Sequence, residues 1–245
     1  MTTSVERAAE ALRHAKRGVA VTGAGMSAES GIPTFRGADG IWKKYPPEIF
    51  ASIDAYLRDP DRVWAFWCEL SASLHGCNPN AGHSALAQLE SSGKIQAIIT
   101  QNIDSLHQAA GSRRVIEYHG SLRELVCLEC RARKTFDVTT TGKHPPHCVL
   151  CQGLMKPDVV MFGEGIPPDA MYESEALIQV CDVLVVVGTS AQVYPAAGLP
   201  FAAKRNGALI IEANLEPTEF TETVTDVFLE GPCGQTLPRV AALMH

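Results

Sequence analysis

Four short apolar runs constrain this chain more than any other feature. Gly18–Thr22 runs into Gly23-Ala24-Gly25-Met26-Ser27-Ala28, and Ile95–Thr100 into Gln101-Asn102-Ile103-Asp104. Val183–Val187 runs into Gly188-Thr189-Ser190, and residues 208–211 stop near Asn214. A weaker run, residues 115–118, ends at His119-Gly120. Runs apolar at nearly every position predict strands buried on both faces, the habit of parallel sheets. Helical spacing over residues 4–17, 81–90, 169–179 and 196–205 falls between them. Strand, polar turn and helix in repetition predict an α/β chain with a Rossmann-like parallel sheet. Such a sheet binds ligands beyond the carboxyl ends of its strands, which is where the polar turns fall.

Two stretches interrupt this pattern. Residues 37–77 carry Trp42, Tyr45, Phe50, Tyr56, Trp64, Phe66 and Trp67. They predict a small helical subdomain leaning on the sheet, with Trp64, Trp67 and Leu70 or Ser71 as a packing stripe. Residues 125–157 carry Cys127-x-x-Cys130 and Cys148-x-x-Cys151, with seventeen residues between the couplets. Four thiols so spaced read as a zinc site, and a closed four-thiolate set is structural because it keeps no position open. A redox couplet, or a Cys/His mixture using His144 or His147, is the alternative. Arg131, Arg133, Lys134, Lys143, Pro145 and Pro146 leave this stretch little to bury, so its folding should depend on the metal. The expected organisation is a Rossmann-like domain of residues 1–36, 78–124 and 158–245. A smaller domain would combine the helical part, 37–77, with the zinc-ribbon part, 125–157.

Charge narrows the partners. A formal net charge of -6 argues against a protein built to grip a nucleic-acid backbone. No stretch approaches the roughly 20 apolar residues of a membrane helix. The first residues carry Glu6 and Glu10 and no signal-like apolar core. Cys68, Cys77, Cys181 and Cys233 read as free thiols in a reducing compartment, so a cytoplasmic protein without a membrane partner is expected.

The chemistry is expected at the strand ends. Gly23-x-Gly25-x-x-Ala28 after the first strand matches a dinucleotide fingerprint, with Gly23 for the tight turn and Gly25 for close approach of backbone N–H groups to a pyrophosphate. The match by itself is also that of a plain glycine turn. The acidic residue that usually follows about 20 residues on is missing; Asp39 is near that offset but in a loop-like setting. Gln101, Asn102 and Asp104 suggest ligand contacts, or else a turn whose Asn and Asp cap the next helix. His119 can exchange a proton near neutral pH. Gly188, Thr189 and Ser190 can offer N–H and hydroxyl groups to phosphate, or form an ordinary turn. Asn214 and Glu216 can hold ribose hydroxyls, or cap a helix before Pro217.

In order, Gly23 to Gly37 (GAGMSAESGIPTFRG), Gln101-Asn102-Ile103-Asp104, His119-Gly120, the four cysteines, Pro157 to Glu164 (PDVVMFGE), Gly188-Thr189-Ser190 and Asn214 closely resemble the sirtuins. The sirtuins are NAD-dependent protein lysine deacylases, and the likeness is close to that of their short bacterial and archaeal members. It implies that Gly23, Ala24, Gly25, Glu29, Thr34, Phe35 and Arg36 belong to the NAD site, with Phe35 shielding the reactive centre. It places Gln101, Asn102, Ile103 and Asp104 at the ribose and carboxamide pocket. Gly188, Thr189, Ser190, Asn214 and Glu216 would serve the phosphates and the adenosine ribose, and the Cys233 backbone the adenine. His119 would be the general base. Val160, Phe162, Gly163 and Glu164 would face Val193 and Tyr194 across an acyl-lysine tunnel, with the substrate peptide added as a strand. The implied reaction is attack of the acyl oxygen on C1' of the nicotinamide ribose as nicotinamide leaves, then attack of the ribose 2'-oxygen on the resulting intermediate, and one water completes the release of free lysine and O-acyl-ADP-ribose. The zinc ion would be structural.

Sirtuins that remove acidic acyl groups carry a tyrosine and an arginine three residues apart in the helical insertion. Trp67 and Leu70 align with those positions, which leaves no cation for an acyl carboxylate. Uncharged acyl groups are therefore the expected substrates. An NAD-dependent ADP-ribosyltransferase sharing the pocket, and a non-catalytic NAD- or zinc-dependent interaction protein, are the rival readings.

Overall fold

The computed structural model describes residues 2–36 and 40–244. Asp39 lies outside the described residues. In chain order the strands are β1 (Gly18–Thr22), β2 (Ile95–Thr100), β3 (Val115–Glu117), β4 (Gly120–Cys127), β5 (Arg133–Thr135), β6 (Met155–Val159), β7 (Val183–Val187), β8 (Leu209–Asn214) and β9 (Val227–Glu230). Six of them form a parallel sheet in the order β3-β2-β1-β7-β8-β9. From β1 the chain builds outward through β2 and β3, and from β7 it builds the other way. The order therefore reverses between β1 and β7, and a crevice opens past their carboxyl ends.

Every residue of β1 and β7 is buried, as continuous apolar runs require. Side chains alternate between two cores. Ala20, Ile98, Val185 and Ile211 pack with Leu12, Leu86, Leu89 and Leu237 from the helices on one face. Val21, Ile99, Leu184, Val186 and Ile210 pack with Leu177, Ile178, Leu199 and Phe220 on the other. Burial in these two layers stabilises the sheet at about 25 cal/mol per Å² of apolar area removed from water.

The expected elements form, with differences at their ends. The first helix is Ser4–His14, opened by a capping box between Thr3 and Glu6. It stops short of residue 17 because the Asp182 carboxylate accepts from the Lys16 and Arg17 N–H groups at 2.8 and 3.0 Å. The strand expected at 208–211 instead runs to Asn214. Its extension pairs with β9, whose four residues are too short to stand out in the sequence. The Gly23-x-Gly25 turn enters a 3₁₀ helix, Ala24–Ser30, rather than an α-helix.

The two insertions pack on each other. β4, β5 and β6 make an antiparallel sheet in the order β5-β4-β6. The aromatic stretch folds into helices Ile41–Lys44, Pro47–Phe50, Ile53–Arg58 and Pro60–Leu74. The helical part leans on this second sheet, not on the parallel one. Trp64, Phe66, Trp67 and Leu70 share a core with Leu122, Leu125, Phe136, Met155 and Val159. The cysteine stretch is thus less poor in buried material than its composition suggests, because Leu125, Phe136 and Met155 are covered by aromatic residues from far away in sequence. The Trp64 indole N–H also donates to the Gly142 carbonyl at 3.1 Å, tying the helix to the cysteine loop.

Candidate active site

The crevice between β1 and β7 deepens into a cavity of about 1060 Å³. Its floor is an interlock of glycines. Gly23 N–H donates to the Val187 carbonyl at 2.9 Å and Gly25 N–H to the Gly188 carbonyl at 2.8 Å. A Cβ on Gly25 would lie 2.8 Å from Gly188 Cα, and one on Gly23 would lie 2.9 Å from the Gly188 oxygen. Gly188 itself has φ +59, a conformation that favours glycine. These residues are therefore glycine because two turns of the protein's own backbone touch, and the Gly25 N–H is already engaged there. The close approach expected of Gly25 toward a pyrophosphate is made here toward the Gly188 backbone.

Buried polar side chains stand behind this floor. Asn102 donates through Nδ2 to the Gly23 carbonyl at 3.0 Å and to Ser27 Oγ at 3.1 Å. Ser27 Oγ donates to Asp104 Oδ2 at 2.6 Å, while Asp104 Oδ1 accepts from the Leu106 N–H at 2.9 Å. Asp104 thus ties Ser27 to the start of the helix Leu106–Ala109, one residue ahead of its N-cap position Ser105. Gln101 Nε2 donates to Thr189 Oγ1 at 3.2 Å, and Asn214 Nδ2 donates to the Thr189 carbonyl at 3.0 Å. The strand ends are cross-linked into one frame.

His119 lines the same cavity. Its Nδ1 lies 3.2 Å from the Gln101 carbonyl oxygen. A carbonyl can only accept, so Nδ1 carries the proton and Nε2 keeps its lone pair. Burial pushes the imidazole below its usual range, opposed by the Gln101 carbonyl. The ring is therefore neutral at pH 7 and able to take a proton at Nε2.

Other candidate residues divide between two hollows. Gly23, Ala24, Gly25, Glu29, Thr34, Phe35, Arg36, Gln101, Asn102 and Ile103 line the main cavity, as do Gly188, Thr189, Ser190, Asn214, Glu216 and Cys233. So do Val160, Phe162, Gly163, Glu164, Val193, Tyr194 and Trp67. Leu70 and Asp104 instead line a side hollow of about 20 Å³, shared with Ala24, Phe35, Asn102 and Ile103. Glu29 is drawn toward the Cys233–Ala242 helix, where it accepts from the Gly234 N–H at 2.6 Å. It caps that helix, whose first residues border the cavity.

Further buried groups support the site without carrying a sequence motif. Lys156, 3% exposed, donates to the Val159 carbonyl at 2.7 Å and pairs with Glu164 at 2.9 Å. Glu164 Oε2 also accepts from the Met161 N–H at 2.9 Å. This closes the turn that carries Phe162 and Gly163. His83 and His107 are buried ring against ring, with centroids 4.8 Å apart. His107 Nε2 and Thr22 Oγ1 are 2.9 Å apart. Burial pushes His83 down to about 4 and His107 to about 3, so both are neutral at pH 7. A lysine beside Pro157 and two histidines in helical stretches carry no motif. Only their fully buried positions reveal them.

The thiols of Cys127, Cys130, Cys148 and Cys151 lie within 4.8 Å of one another. Cys127 Sγ is 3.5 Å from Cys151 Sγ, and Cys130 Sγ is 3.6 Å from Cys148 Sγ. A tetrahedral zinc with bonds of ~2.3 Å sets its sulfurs roughly 3.8 Å apart, so the four thiols fit that ion. None of the four lines the main cavity.

Residues 23–195 match the model of the Sir2 family. The NAD-dependent protein deacylase 2 of Archaeoglobus fulgidus is 46% identical over 246 residues, covering 98% of this chain and 96% of its own. A solved Sir2 homologue in complex with NAD superposes with a TM-score of 0.92 at 40% identity, covering 98% of this chain and 93% of its own. A Sir2 complex with a p53 peptide and NAD+ superposes with a TM-score of 0.88 at 34% identity, covering 99% and 98%. The reversal between β1 and β7, the glycine interlock, His119 and the four thiols are thus found together in a chain that belongs to the Sir2 family.

Proposed function

We propose that this chain is an NAD-dependent protein lysine deacylase, releasing nicotinamide, O-acyl-ADP-ribose and free lysine, with His119 as its general base. The observation that carries the reading is His119 in the cavity, its Nδ1–H held by the Gln101 carbonyl. NAD supplies the electrophilic ribose carbon when bound. The protein's own part is to orient the reactants, exclude water and move one proton. His119 Nε2 takes that proton from the ribose hydroxyls. The Ser27–Asn102–Asp104 network holds the nicotinamide side, and the turns at Gly23–Gly25 and Gly188–Ser190 hold the phosphates. Asn214, Glu216 and the Cys233 backbone receive the adenosine. Phe35, stacked on Trp42 at 4.9 Å, covers the reacting centre.

Acyl-lysine peptides join as an added strand between residues 160–164 and Val193-Tyr194, the mode of β-augmentation. A p53 peptide accompanies NAD+ in the related complex. Here the receiving segment is stiffened from its other side. Phe162 N–H donates to the Ala51 carbonyl at 2.8 Å, and Ile53 N–H to the Phe162 carbonyl at 3.0 Å. Trp67 and Leu70 bring no charge to the acyl end, which suits acetyl and other neutral groups. Cys127, Cys130, Cys148 and Cys151 hold one structural zinc ion, which keeps β4 and β6 in register.

His119→Ala tests the base. Deacylation should fall by about 10²–10⁴-fold, while ADP-ribose still binds in calorimetry. Undiminished turnover removes His119 from this role.

A further inference from the structure

Glu212 is a carboxylate in the middle of β8, 1% exposed. A buried carboxylate is costly unless its oxygens are well served by donors. Here Thr218 Oγ1 donates to Oε1 at 2.6 Å. Thr221 Oγ1 and Thr225 Oγ1 donate to Oε2 at 2.6 and 2.8 Å. Two of these hydroxyls also accept backbone N–H groups. Phe220 N–H donates to Thr218 Oγ1 at 3.1 Å, and Thr218 N–H donates to Thr221 Oγ1 at 2.9 Å. The Thr218 and Thr221 hydroxyls thus pass polarity from a backbone N–H to the carboxylate, and such chains are stronger than their separate links.

The segment pinned by these bonds is a wall of the main cavity. Leu215, Glu216, Pro217, Thr218 and Glu219 all line it, beside Asn214 at the end of β8. Glu212 and Thr225 do not line it. A hydrophobic side chain at position 212 would satisfy burial equally well. It would leave the turn from Asn214 to the Glu219–Thr223 helix without its anchor.

The geometry points to Glu212 as a positioning residue that, through Thr218, Thr221 and Thr225, fixes the 214–219 wall that receives the adenosine half of NAD. This rests on the proposed NAD-dependent reaction, because that reading places adenosine at this end of the cavity. Glu212 touches no reacting atom. Its loss should weaken cofactor binding and leave the proton transfer at His119 and the peptide strand as they are.

Glu212→Ala would strand three hydroxyls and threaten the fold, so Thr225→Val is the better probe. It keeps the shape, removes one donor and stands outside the cavity. Thr225→Ser restores the hydroxyl. Thr225→Val should raise KM for NAD and the ADP-ribose Kd about three- to tenfold. kcat at saturating NAD and KM for the peptide should stay within about twofold, and Thr225→Ser should return both cofactor constants to wild type. Thr225→Val with wild-type KM and Kd overturns the proposal. So does a parallel loss in kcat, both KM values and Tm, which is the mark of a general structural role. Calorimetry with ADP-ribose needs no turnover. A wild-type chain that binds ADP-ribose but deacylates nothing would fault the proposed reaction, while the Thr225 comparison would still decide the role of Glu212.

Discussion

Gly25→Ala asks whether the glycines of the first turn serve the protein's own backbone. The added Cβ would meet Gly188 Cα at 2.8 Å and the Gly188 oxygen at 2.9 Å. Both are backbone atoms of the turn that leaves β7, so there is no side chain to swing away. Reaching an ordinary contact of about 3.4 Å means parting the β1 and β7 turns by ~0.6 Å. The Gly25 N–H bond to the Gly188 carbonyl, now 2.8 Å, would then stretch beyond useful length. Overpacking of this kind costs about 1–3 kcal/mol, and the lost hydrogen bond adds about 1 kcal/mol. For a chain of this size 1 kcal/mol moves Tm by roughly 2–4 °C, so calorimetry should record a fall of about 4–16 °C. Because both turns line the cavity, ADP-ribose affinity should fall about tenfold or more in the same samples. Gly142→Ala, where an added Cβ meets nothing within 4 Å, is the control. A Gly25→Ala protein with wild-type Tm and wild-type ADP-ribose affinity would show that the two turns do not depend on this close contact.

His83 and His107 make stability pH-dependent. Burial holds them at about 4 and about 3 against a usual 6.5. Below pH 6.5 the unfolded chain binds protons that the fold refuses, so stability falls as pH drops, by about 4 kcal/mol between pH 7 and 5. Urea unfolding across that range checks the slope, and a flat profile contradicts it. Zinc removal by a chelator, or Cys127→Ala, should lower Tm, solubility and turnover together, since apparent zinc affinities of about 10–16 kcal/mol are folding energy in such sites. Loss of the chemical step at unchanged Tm would instead point to a catalytic metal. On matched peptides, kcat/KM should favour acetyl over succinyl by about tenfold or more, as one missing charge-assisted contact implies. Faster desuccinylation would contradict the proposed preference for neutral acyl groups.

Much of this was legible because it is local. The runs at 18–22, 95–100 and 183–187 are apolar at nearly every position, and their strands form there to the residue. The four thiols come together as their spacing predicts. What escaped depends on contacts distant in sequence. Asp182 ends the first helix from 165 positions away. β9 becomes a strand because β8 is there to pair with. The aromatic insertion chose the antiparallel sheet because Leu125, Phe136 and Met155 present apolar faces that its own segment cannot disclose. At the site the motif residues were readable, yet the buried groups that hold them, Lys156, His83, His107 and Glu212, look like ordinary surface residues until burial is known.

We propose that this cavity couples lysine deacylation to NAD through His119. Mass spectrometry of the products from an acetyl-lysine peptide, with and without NAD, tests it most directly. Deacetylated peptide, nicotinamide and O-acetyl-ADP-ribose should appear in equal amounts, only with NAD, and should form about 10²–10⁴-fold more slowly in His119→Ala. An ADP-ribosylated peptide in their place, or deacetylation without NAD, would contradict the account.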